Sequence, residues 1–449
     1  MTADPTALLA PQGRELLARL EASQAGHAGQ AGNALALAER LRREYPADLV
    51  ALAMAQQELR RTAEAKFSRA ADMLFTRAGY EQSSSEAVAR YRAARLIEAI
   101  GRDNARIADL CCGIGGDLIA LAAGARVLAV DRDETHARLA RHNAAVYAEA
   151  DRVTTMVADV RDVPLAGIDA VFIDPARRSG PAAASAAGTR RFRAGLSEPP
   201  LDWCAHLAKT VPAVCVKAAP GIPGEVIPDG WEAEFIAEGR DLKEAVLWSP
   251  ALTPRPPGDP APKRRATVLA ATAPGQPAHA DTLLPHPGAP VPLREPGEYL
   301  LDPNPAVTRA GLVEDLARRL ATSAEAGSAE AGSAEAGSAG GHGTAASSVK
   351  AGIAKIDQRI AFLTLDRPVA TPFARTLRVL YSAPWHEKQF ARRLRDLDVG
   401  AVDIRRRGLA GDVDQIRRRL KLSGTARATV VITRVNNQPW GLICTGPSE

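Results

Sequence analysis

A glycine-rich stretch at residues 109–117, DLCCGIGGD, is the part of the sequence best suited to hold a small ligand. It follows the apolar run RIA and precedes LIALAAG, a pattern that predicts a strand, a tight loop and the start of a helix. Glycines let the backbone approach a bound nucleoside or methionine group closely, and the first N–H groups of a helix are free to donate. The residues expected to line such a cofactor site are Asp109, Gly113, Gly115, Gly116 and Asp117.

Two acidic residues follow the next two apolar runs. Asp131 ends ARVLAVD, where its carboxylate can accept from ribose hydroxyls, as in NAD-binding proteins. Asp159, beside Val160, follows VTTMVA and can accept from an adenine amine, although a turn residue explains Asp159 alone equally well. A dinucleotide fingerprint would require Gly or Ala at Leu118. The loop therefore fits S-adenosylmethionine (SAM) better than a dinucleotide, with a plain strand-to-helix turn as the remaining alternative.

The fourth apolar run, IDAVFI, ends in the segment DPAR at residues 174–177. Ligands of open α/β sheets bind beyond the carboxyl ends of the strands, so this segment is expected to face the reacting group. The carboxylate of Asp174 and the carbonyl of Pro175 can accept from the N–H of an attacking amine and hold it in line. We therefore predict that Asp174, Pro175 and Arg177 are catalytic residues.

Arginines are frequent in and after this segment. Arg177 can stack on a base or hold a phosphate, which would give the following loop a role in binding nucleic acid. Solvated arginines in an Arg-rich chain explain the same residues equally well. The further basic residues of this loop are Arg178, Arg190, Arg191 and Arg193.

In their order, these four strand-end segments resemble motifs I to IV of the class I SAM-dependent methyltransferases, over about residues 80–250. The resemblance implies SAM as cofactor and contact between its carboxylate and the segment YEQSS, which adds Gln82 and Ser84 to the predicted cofactor residues. Helix capping explains Ser84 equally well. The N/D-P-P-Y/F/W signature of amino-methylating enzymes is matched incompletely, because Ala176 replaces the second proline and Arg177 the aromatic residue.

A longer stretch of the chain resembles the SAM-dependent methyltransferases with a C-terminal THUMP-like domain. The segments that carry this resemblance are DLCCGIGGD, FIDPARR, GRDLKEAVLW and RGLAGDVDQIRRRLKLSGTARATVVITRVNNQPWGLIC. THUMP domains bind structured RNA, so the resemblance implies an RNA substrate.

Charge near the C-terminus agrees with an RNA partner. Residues 388–427 contain twelve Lys or Arg and five Asp, a net charge of +7 in a chain of net charge +5. Such a patch suits binding to a phosphate backbone, although a solvated helix face has the same composition. The residues predicted to bind RNA are Arg405, Arg406, Arg417, Arg418 and Lys421.

The elements that must position these residues alternate between strands and helices from about 105 to 250. We predict an α/β fold of the Rossmann-like methyltransferase type, with a mainly parallel seven-stranded sheet that ends in an antiparallel strand. The predicted domains are an N-terminal helical region (1–65), a methyltransferase domain (66–280), a β-α-β region for which a ferredoxin-like fold is one option (281–369), and an α+β THUMP-like domain (370–449).

Two segments are predicted to lack regular structure. Residues 251–297 are rich in proline, and within them the segment TPRPPGDPAPKRR (253–265) is expected to form an extended loop. Residues 323–348 contain the repeat SAEAG, which has too few large apolar side chains to form a core, and are expected to be a flexible insertion without a role in function. The tryptophans, sparse in this chain, are expected to be core anchors rather than a base-stacking platform.

Composition limits the remaining possibilities. Five cysteines without CxxC spacing predict neither a disulfide framework nor a metal site, and they suit a reducing compartment. The first twenty residues lack a secretory h-region, and no run of about 18 apolar residues occurs. We therefore expect a cytoplasmic protein that does not span a membrane.

Three functions fit the sequence. The first is transfer of a methyl group from SAM to a base nitrogen of tRNA or rRNA. The second is methylation of a small molecule or protein, with the C-terminal domain as a structural cap. The third is a non-catalytic RNA-binding protein that keeps SAM as a structural ligand. The sequence does not distinguish the oligomeric states.

Overall fold

The computed structural model describes residues 4–25, 32–177, 197–253, 263–322, 352–409 and 411–446. The chain divides into two units. The first comprises Met1–Gly239, Lys243–Lys263 and Leu269–Ala280, and the second comprises Arg240–Leu242, Arg264–Val268 and Asp281–Glu449. The predicted insertion at 323–348 lies outside the described residues.

The helices of the first unit are α1 (Pro11–Ala25), α2 (Gly32–Leu41), α3 (Ala47–Ala63), α4 (Arg77–Gln82), α5 (Glu86–Ile100), α6 (Gly116–Ala122), α7 (Glu134–Val146) and α8 (Leu201–His206). Short 3-10 turns lie at Pro5–Leu9, Ala150–Arg152, Val160–Asp162, Leu207–Lys209, Gly224–Val226 and Pro250–Leu252. The strands up to residue 283 are β1 (Arg106–Leu110), β2 (Arg126–Asp131), β3 (Val153–Val157), β4 (Ala170–Ile173), β5 (Ala176–Arg177), β6 (Ser197–Glu198), β7 (Ala213–Ala218), β8 (Glu232–Glu238), β9 (Asp241–Trp248), β10 (Arg264–Leu269) and β11 (Ala280–Leu283).

Local sequence signals account for the helices that border the site. The side chain of Asp133 accepts from the N–H of Thr135 at 2.8 Å, which caps the start of α7. Gly101 ends α5 in the left-handed conformation at φ +60°, which a residue without Cβ adopts readily.

The large sheet has the strand order β11-β10-β8-β9-β7-β4-β1-β2-β3. Strand β1 lies between β2 and β4 and is parallel to both, and β7 is parallel to β4. The carboxyl ends of these four strands therefore meet at one edge of the sheet, where the predicted motifs lie. Strand β9 is antiparallel to β7, as the methyltransferase-type sheet requires. The predicted α/β fold is confirmed.

One part of the sheet was not expected. Strands β10 and β11 arise within the proline-rich residues 251–297, and β10 begins at the last two residues of the loop predicted at 253–265. They bring the sheet to nine strands rather than seven. The prolines of TPRPPGDPAP precede β10 and do not interrupt RRATVL, so this run is free to pair as a strand.

Two hydrophobic clusters pack beside the sheet edge at which the carboxyl ends of these strands meet. One packs α5 and α6 against the sheet and includes Phe172 and the fully buried Trp248. The other joins the N-terminal helices to Phe67 and Phe75 and also takes in Ile114 of the glycine loop and Ile119 of α6. The N-terminal helical region thus shares its core with the predicted cofactor loop.

The buried amide of Asn143, on α7, holds this junction together. Its Nδ2 donates to the carbonyl of Leu74 at 3.0 Å and to that of Ile114 at 2.8 Å, and its Oδ1 accepts from the N–H of Leu74 at 2.9 Å. One side chain therefore satisfies backbone groups in both the glycine loop and the segment that follows the N-terminal helices.

The strands of the second unit are β12 (Tyr299–Pro303), β13 (Ala354–Lys355), β14 (Leu363–Leu365), β15 (Ala374–Pro384), β16 (Val399–Arg406), β17 (Ala426–Val435) and β18 (Gln438–Thr445). Its helices are α9 (Pro305–Ala310), α10 (313–322), α11 (Glu387–Asp396) and α12 (Val413–Leu420). The sheet order is β13-β14-β12-β15-β18-β17-β16. Asn436 and Asn437 both have positive φ angles and form the tight turn between β17 and β18.

Two predictions for the second unit were wrong. Residues 355–367, KIDQRIAFLTLDR, have the pattern of a helix followed by a strand, but no helix occurs over 352–362. Strand β14 is antiparallel to β12, whereas a β-α-β unit requires parallel strands. Because β12 pairs with β15 as well, one sheet extends across the boundary predicted at 369–370.

Within the described ranges, no helix is both long and apolar enough to cross a membrane.

Candidate cofactor and catalytic site

The glycine loop leaves the carboxyl end of β1 and enters α6. Gly113 and Gly115 have φ angles of +53° and +88°, a region that favours glycine. A Cβ on Gly115 would lie 3.0 Å from Cα of Ala140, and one on Gly116 would lie 3.2 Å from Cβ of Ser83. The loop conformation and its packing therefore both depend on these glycines.

Asp131, at the end of β2, fixes the loop from the neighbouring strand. Its Oδ2 accepts from the N–H of Gly113 at 2.9 Å, and its Oδ1 accepts from the N–H of Asp133 at 3.0 Å. His136 Nδ1 lies 3.8 Å from Oδ1. Burial opposes ionisation, but the nearby His136 and the two N–H groups outweigh it and lower the pKa of Asp131. Each carboxylate oxygen keeps a lone pair for a further donor such as a ribose hydroxyl.

A cavity of about 1080 Å³ opens at this edge of the sheet. The predicted residues that line it are Gln82, Ser84, Asp109, Gly113, Gly116, Asp117, Asp131, Asp159, Val160, Asp174 and Pro175. Gly115 supports the loop from behind, against Ala140. Of Arg177 only the backbone is described, paired with Ser197 in the β5–β6 ribbon. The predicted basic residues Arg178, Arg190, Arg191 and Arg193 lie outside the described residues.

Asp109 is fully buried at the end of β1 and lines the cavity. Neither of its carboxyl oxygens has a hydrogen-bond partner among the described residues. Burial, followed by the carboxylates of Asp117 and Asp174, raises the pKa of Asp109 well above its ordinary value. An orphaned polar group at the cavity wall is suited to a ligand with its own donors and acceptors.

Asp174 follows β4 and is held by a residue that the sequence analysis did not single out. Lys217, near the end of β7, donates from Nζ to Oδ2 of Asp174 at 2.6 Å. In the described part of the chain no group donates to Oδ1 of Asp174, so this oxygen can accept from a ligand. Burial raises the pKa of Asp174 while Lys217 lowers it, and the net shift is upward.

Lys217 also connects Asp174 to the glycine loop. Its Nζ lies 3.6 Å from Oδ2 of Asp117, and Asp117 in turn forms an ion pair with Arg92 of α5. Arg92 pairs with Glu244 on β9 as well. Burial would lower the pKa of Lys217, but the carboxylates of Asp174 and Asp117 raise it, so the lysine stays charged. We call Asp174, Lys217, Asp117, Arg92 and Glu244 the charge chain. It links the end of β4 to the glycine loop.

Two predicted cofactor residues have protein partners. Ser84 is buried within the charge chain, where its hydroxyl accepts from Arg92 Nη2 at 3.2 Å and lies 3.4 Å from Glu244 Oε2. It does not cap α5, since Ser85 occupies that position. Asp159 caps the turn Val160–Asp162 by accepting from the N–H of Arg161 at 2.9 Å, and it also pairs with that side chain at 3.1 Å.

The residues predicted to bind RNA lie in the second unit, on β16 and at α12. Arg417, Arg418 and Lys421 are exposed, and Arg417 pairs with Asp414 at 2.8 Å. The side chains of Arg405 and Arg406, which are neighbours on β16, lie on opposite faces of the strand.

Three family models match the chain. Residues 104–197 match the RNA cap guanine-N2 methyltransferases, residues 374–446 match the THUMP domain-like family, and residues 2–63 match a domain of unknown function. An uncharacterized SAM-dependent methyltransferase of Mycobacterium tuberculosis, found in two strains, is 32% identical over 367 residues, which cover 81% of this chain and 85% of the relative. A crystal structure of a methyltransferase candidate from Porphyromonas gingivalis W83 has the same fold, with a TM-score of 0.63, 17% identity, and coverage of 94% of this chain and 100% of that one.

Proposed function

This chain belongs to the SAM-dependent methyltransferases, and we propose that its methyl acceptor is a base nitrogen of structured RNA, such as tRNA or rRNA. The observation that carries the proposal is the combination of two matches in one chain. Residues 104–197 match a family of RNA cap guanine-N2 methyltransferases, and residues 374–446 match the THUMP domain-like family. THUMP domains bind structured RNA, so the two matches favour the same class of substrate.

The residues at the cavity fit SAM. The glycine loop offers a close backbone approach, Asp131 offers acceptors for ribose hydroxyls, and Asp109 offers an unpartnered carboxyl at the wall. We infer that Gln82, Asp159 and Val160 contribute to the same pocket, which they line. Ser84 and Asp117 act on this pocket through the charge chain.

Asp174 is the proposed catalytic residue. Bound SAM supplies a methyl group on a sulfonium that is already reactive, so the protein's task is to position the acceptor. Oδ1 of Asp174 accepts from the N–H of the acceptor amine, and the carbonyl of Pro175 is a second acceptor on the same segment. Lys217 holds the carboxylate by its other oxygen and favours its charged form, which is the form that accepts.

The test is transfer of label from methyl-tritiated SAM to total RNA by the full chain. We expect label in RNA, its loss in Asp174→Ala, and SAM affinity in that variant close to the parent value by calorimetry. A matched control is Asp162→Ala, a carboxylate in the nearby turn that does not line the cavity. Entry of label into protein or small metabolites instead of RNA would show that the substrate class is wrong. SAM binding without any transfer would favour a non-catalytic role.

A further inference from the structure

A second group of charged side chains lies entirely within the second unit. At its centre is Asp302 on β12, only 1% exposed. Arg240 Nη2 lies 2.8 Å from its Oδ2, and Arg407 Nη2 lies 3.0 Å from its Oδ1. Arg405 Nη1 lies 3.9 Å from Oδ2. Three guanidinium groups therefore surround one buried carboxylate.

A fourth arginine, next to them in the sheet, has two nitrogens that no group in the described part of the chain pairs with. Arg375 on β15 is directly opposite Asp302 in the antiparallel ladder, so both side chains lie on the same face of the sheet. Its Nε and Nη2 are shielded from solvent and have no hydrogen-bond partner among the described residues. Leaving buried N–H groups of a charged side chain unpaired costs free energy, so a hydrogen-bond acceptor at Nε and Nη2 of Arg375 would be stabilising.

The sheet curls to assemble these residues, which are far apart along the chain. Arg407 follows β16 at one end of the strand order, yet its Nη1 donates to the carbonyl of Ala361, just before β14 near the other end. Its guanidinium also lies 4.6 Å from the ring centre of Phe362. The end of β16 is thus brought back to β12, where Asp302 lies.

The charges in this cluster do not balance. Three guanidinium groups surround Asp302 and that of Arg375 belongs to the residue opposite it in the ladder. The only other carboxylate paired with these arginines in the described residues is Asp403, 2.9 Å from Nε of Arg405. The cluster keeps a net charge of about +2. One arginine is enough to neutralise a buried Asp, and additional ones repel each other. Guanidinium groups arranged around one point are suited to the oxygens of a phosphate.

We propose that Arg240, Arg375, Arg405 and Arg407 form a binding site for one phosphate group. Asp302 orients the arginines, and the phosphate supplies the missing acceptor for Arg375. We assign this phosphate to the backbone of the RNA substrate, an assignment that rests on the proposed function. Of these four arginines, only Arg405 was predicted from the sequence to bind RNA.

The first test is thermal unfolding of the full chain in increasing inorganic phosphate, with ionic strength held constant by chloride. Binding to the folded state raises the melting temperature with phosphate concentration. We expect this rise in the parent and in the control Arg378→Ala, an exposed arginine on the same strand whose side chain lies on the opposite face. In Arg375→Ala we expect phosphate affinity to fall at least about tenfold, as loss of a charged hydrogen bond implies. A rise of equal size in the two variants would overturn the site.

A second measurement distinguishes a structural role from a binding role. If Arg375 only balances charge, its removal lowers stability without phosphate. If it belongs to a phosphate site, its removal relieves repulsion, and the melting temperature without phosphate is unchanged or higher. A clear drop in Arg375→Ala, absent in Arg378→Ala, would contradict the proposal.

The source of the phosphate is tested by measuring the affinity of the parent and of Arg375→Ala for labelled bulk tRNA. Fluorescence anisotropy gives this affinity over a range of salt concentrations. Loss of one phosphate contact should reduce the slope of log K against log salt by about 1 in Arg375→Ala. An unchanged slope, with the thermal effect of phosphate intact, would overturn the assignment to RNA and leave a site for a free phosphate compound. Because the thermal test needs no methyl transfer, failure of the proposed function would not affect it.

Discussion

Replacing Lys217 by methionine is expected to move the acidic limb of the pH–rate profile of methyl transfer to higher pH. Lys217 Nζ lies 2.6 Å from Oδ2 of Asp174, and it stabilises the ionised form of that carboxyl. The ionised carboxyl accepts from the N–H of the methyl acceptor at Oδ1, and protonation of the carboxyl weakens this acceptor. Without the lysine, the pKa of Asp174 rises further and protonation occurs at higher pH.

The size of the effect follows from the contact. Two opposite charges 4 Å apart attract by about 4 kcal/mol at an effective dielectric constant of about 20, which is equivalent to about three pH units. The Asp174 side chain is 33% exposed, so solvent screens part of this attraction. We expect the limb to move by about 1–2 pH units, within the range found for carboxyls beside a positive charge. The rate at pH values below the limb would fall about tenfold for each unit.

The assay is label transfer from methyl-tritiated SAM to RNA between pH 5 and 10, with melting temperature and SAM affinity measured for each variant. Lys217→Arg keeps the charge and should keep the limb close to its parent position. Lys209→Met, at an exposed lysine in the turn after α8, controls for loss of a lysine elsewhere. In an Asp174→Asn background the limb that comes from this carboxyl is absent, so Lys217→Met should not shift the pH dependence of the residual rate. An unmoved limb in a folded, SAM-binding Lys217→Met variant would refute the proposed action of Lys217 through Asp174.

Three further substitutions test the site and its support. Gly115→Ala should weaken SAM binding at least about tenfold by calorimetry, because the left-handed φ costs about 1–2 kcal/mol and the new Cβ approaches Ala140. Gly311→Ala, with φ +74° and open space around it, should leave SAM affinity unchanged. Asp131→Ala should lower SAM affinity by a similar factor, since hydrogen bonds to charged groups contribute about 1.5–3 kcal/mol, and undiminished binding would contradict the assignment of the loop. Asn143→Ala should lower the free energy of unfolding by about 3 kcal/mol in chemical denaturation, because backbone groups in two segments lose their partner, and an unchanged midpoint would show that the junction is not held by this amide.

The sequence predicts well those parts of the fold that depend on the local pattern of apolar and polar residues. The apolar runs from 105 to 250 give the strands, and their order with the intervening helices gives the parallel sheet. The residues that end these runs fall at one edge because parallel strands place their carboxyl ends together. This is why Asp109, Asp131 and Asp174 line one cavity although they are far apart in sequence.

The residues that sequence analysis missed depend on tertiary pairing. Lys217 stands in the apolar run AVCVKA and Arg92 in an amphipathic helix, and neither shows which carboxylate it meets. A basic residue inside an otherwise buried strand was the available signal, because such a charge requires a partner. Of the arginines around Asp302, the sequence indicated only Arg405. Their grouping could not be predicted, since only the curl of the second sheet brings Arg407 back to β12.

Very short strands are a second kind of element that the sequence predicts poorly. Ala354–Lys355 and Leu363–Leu365 contain two and three residues, too few to display a period of two. Their segment, KIDQRIAFLTL, has helical spacing, yet pairing of β14 with β12 overrides that preference.

The core that the N-terminal helices share with Ile114 and Ile119 makes cofactor binding and the stability of that region thermodynamically linked. A ligand that orders the glycine loop also orders the surface on which α1 and α3 pack, so it must slow the local opening of these helices. By thermodynamic reciprocity, a change that destabilises α3 also lowers the affinity of the cavity for SAM, although α3 does not line the cavity. Amide protons of Ala47–Ala63 should therefore exchange more slowly with solvent when SAM is bound, which makes the N-terminal region a reporter of cofactor occupancy.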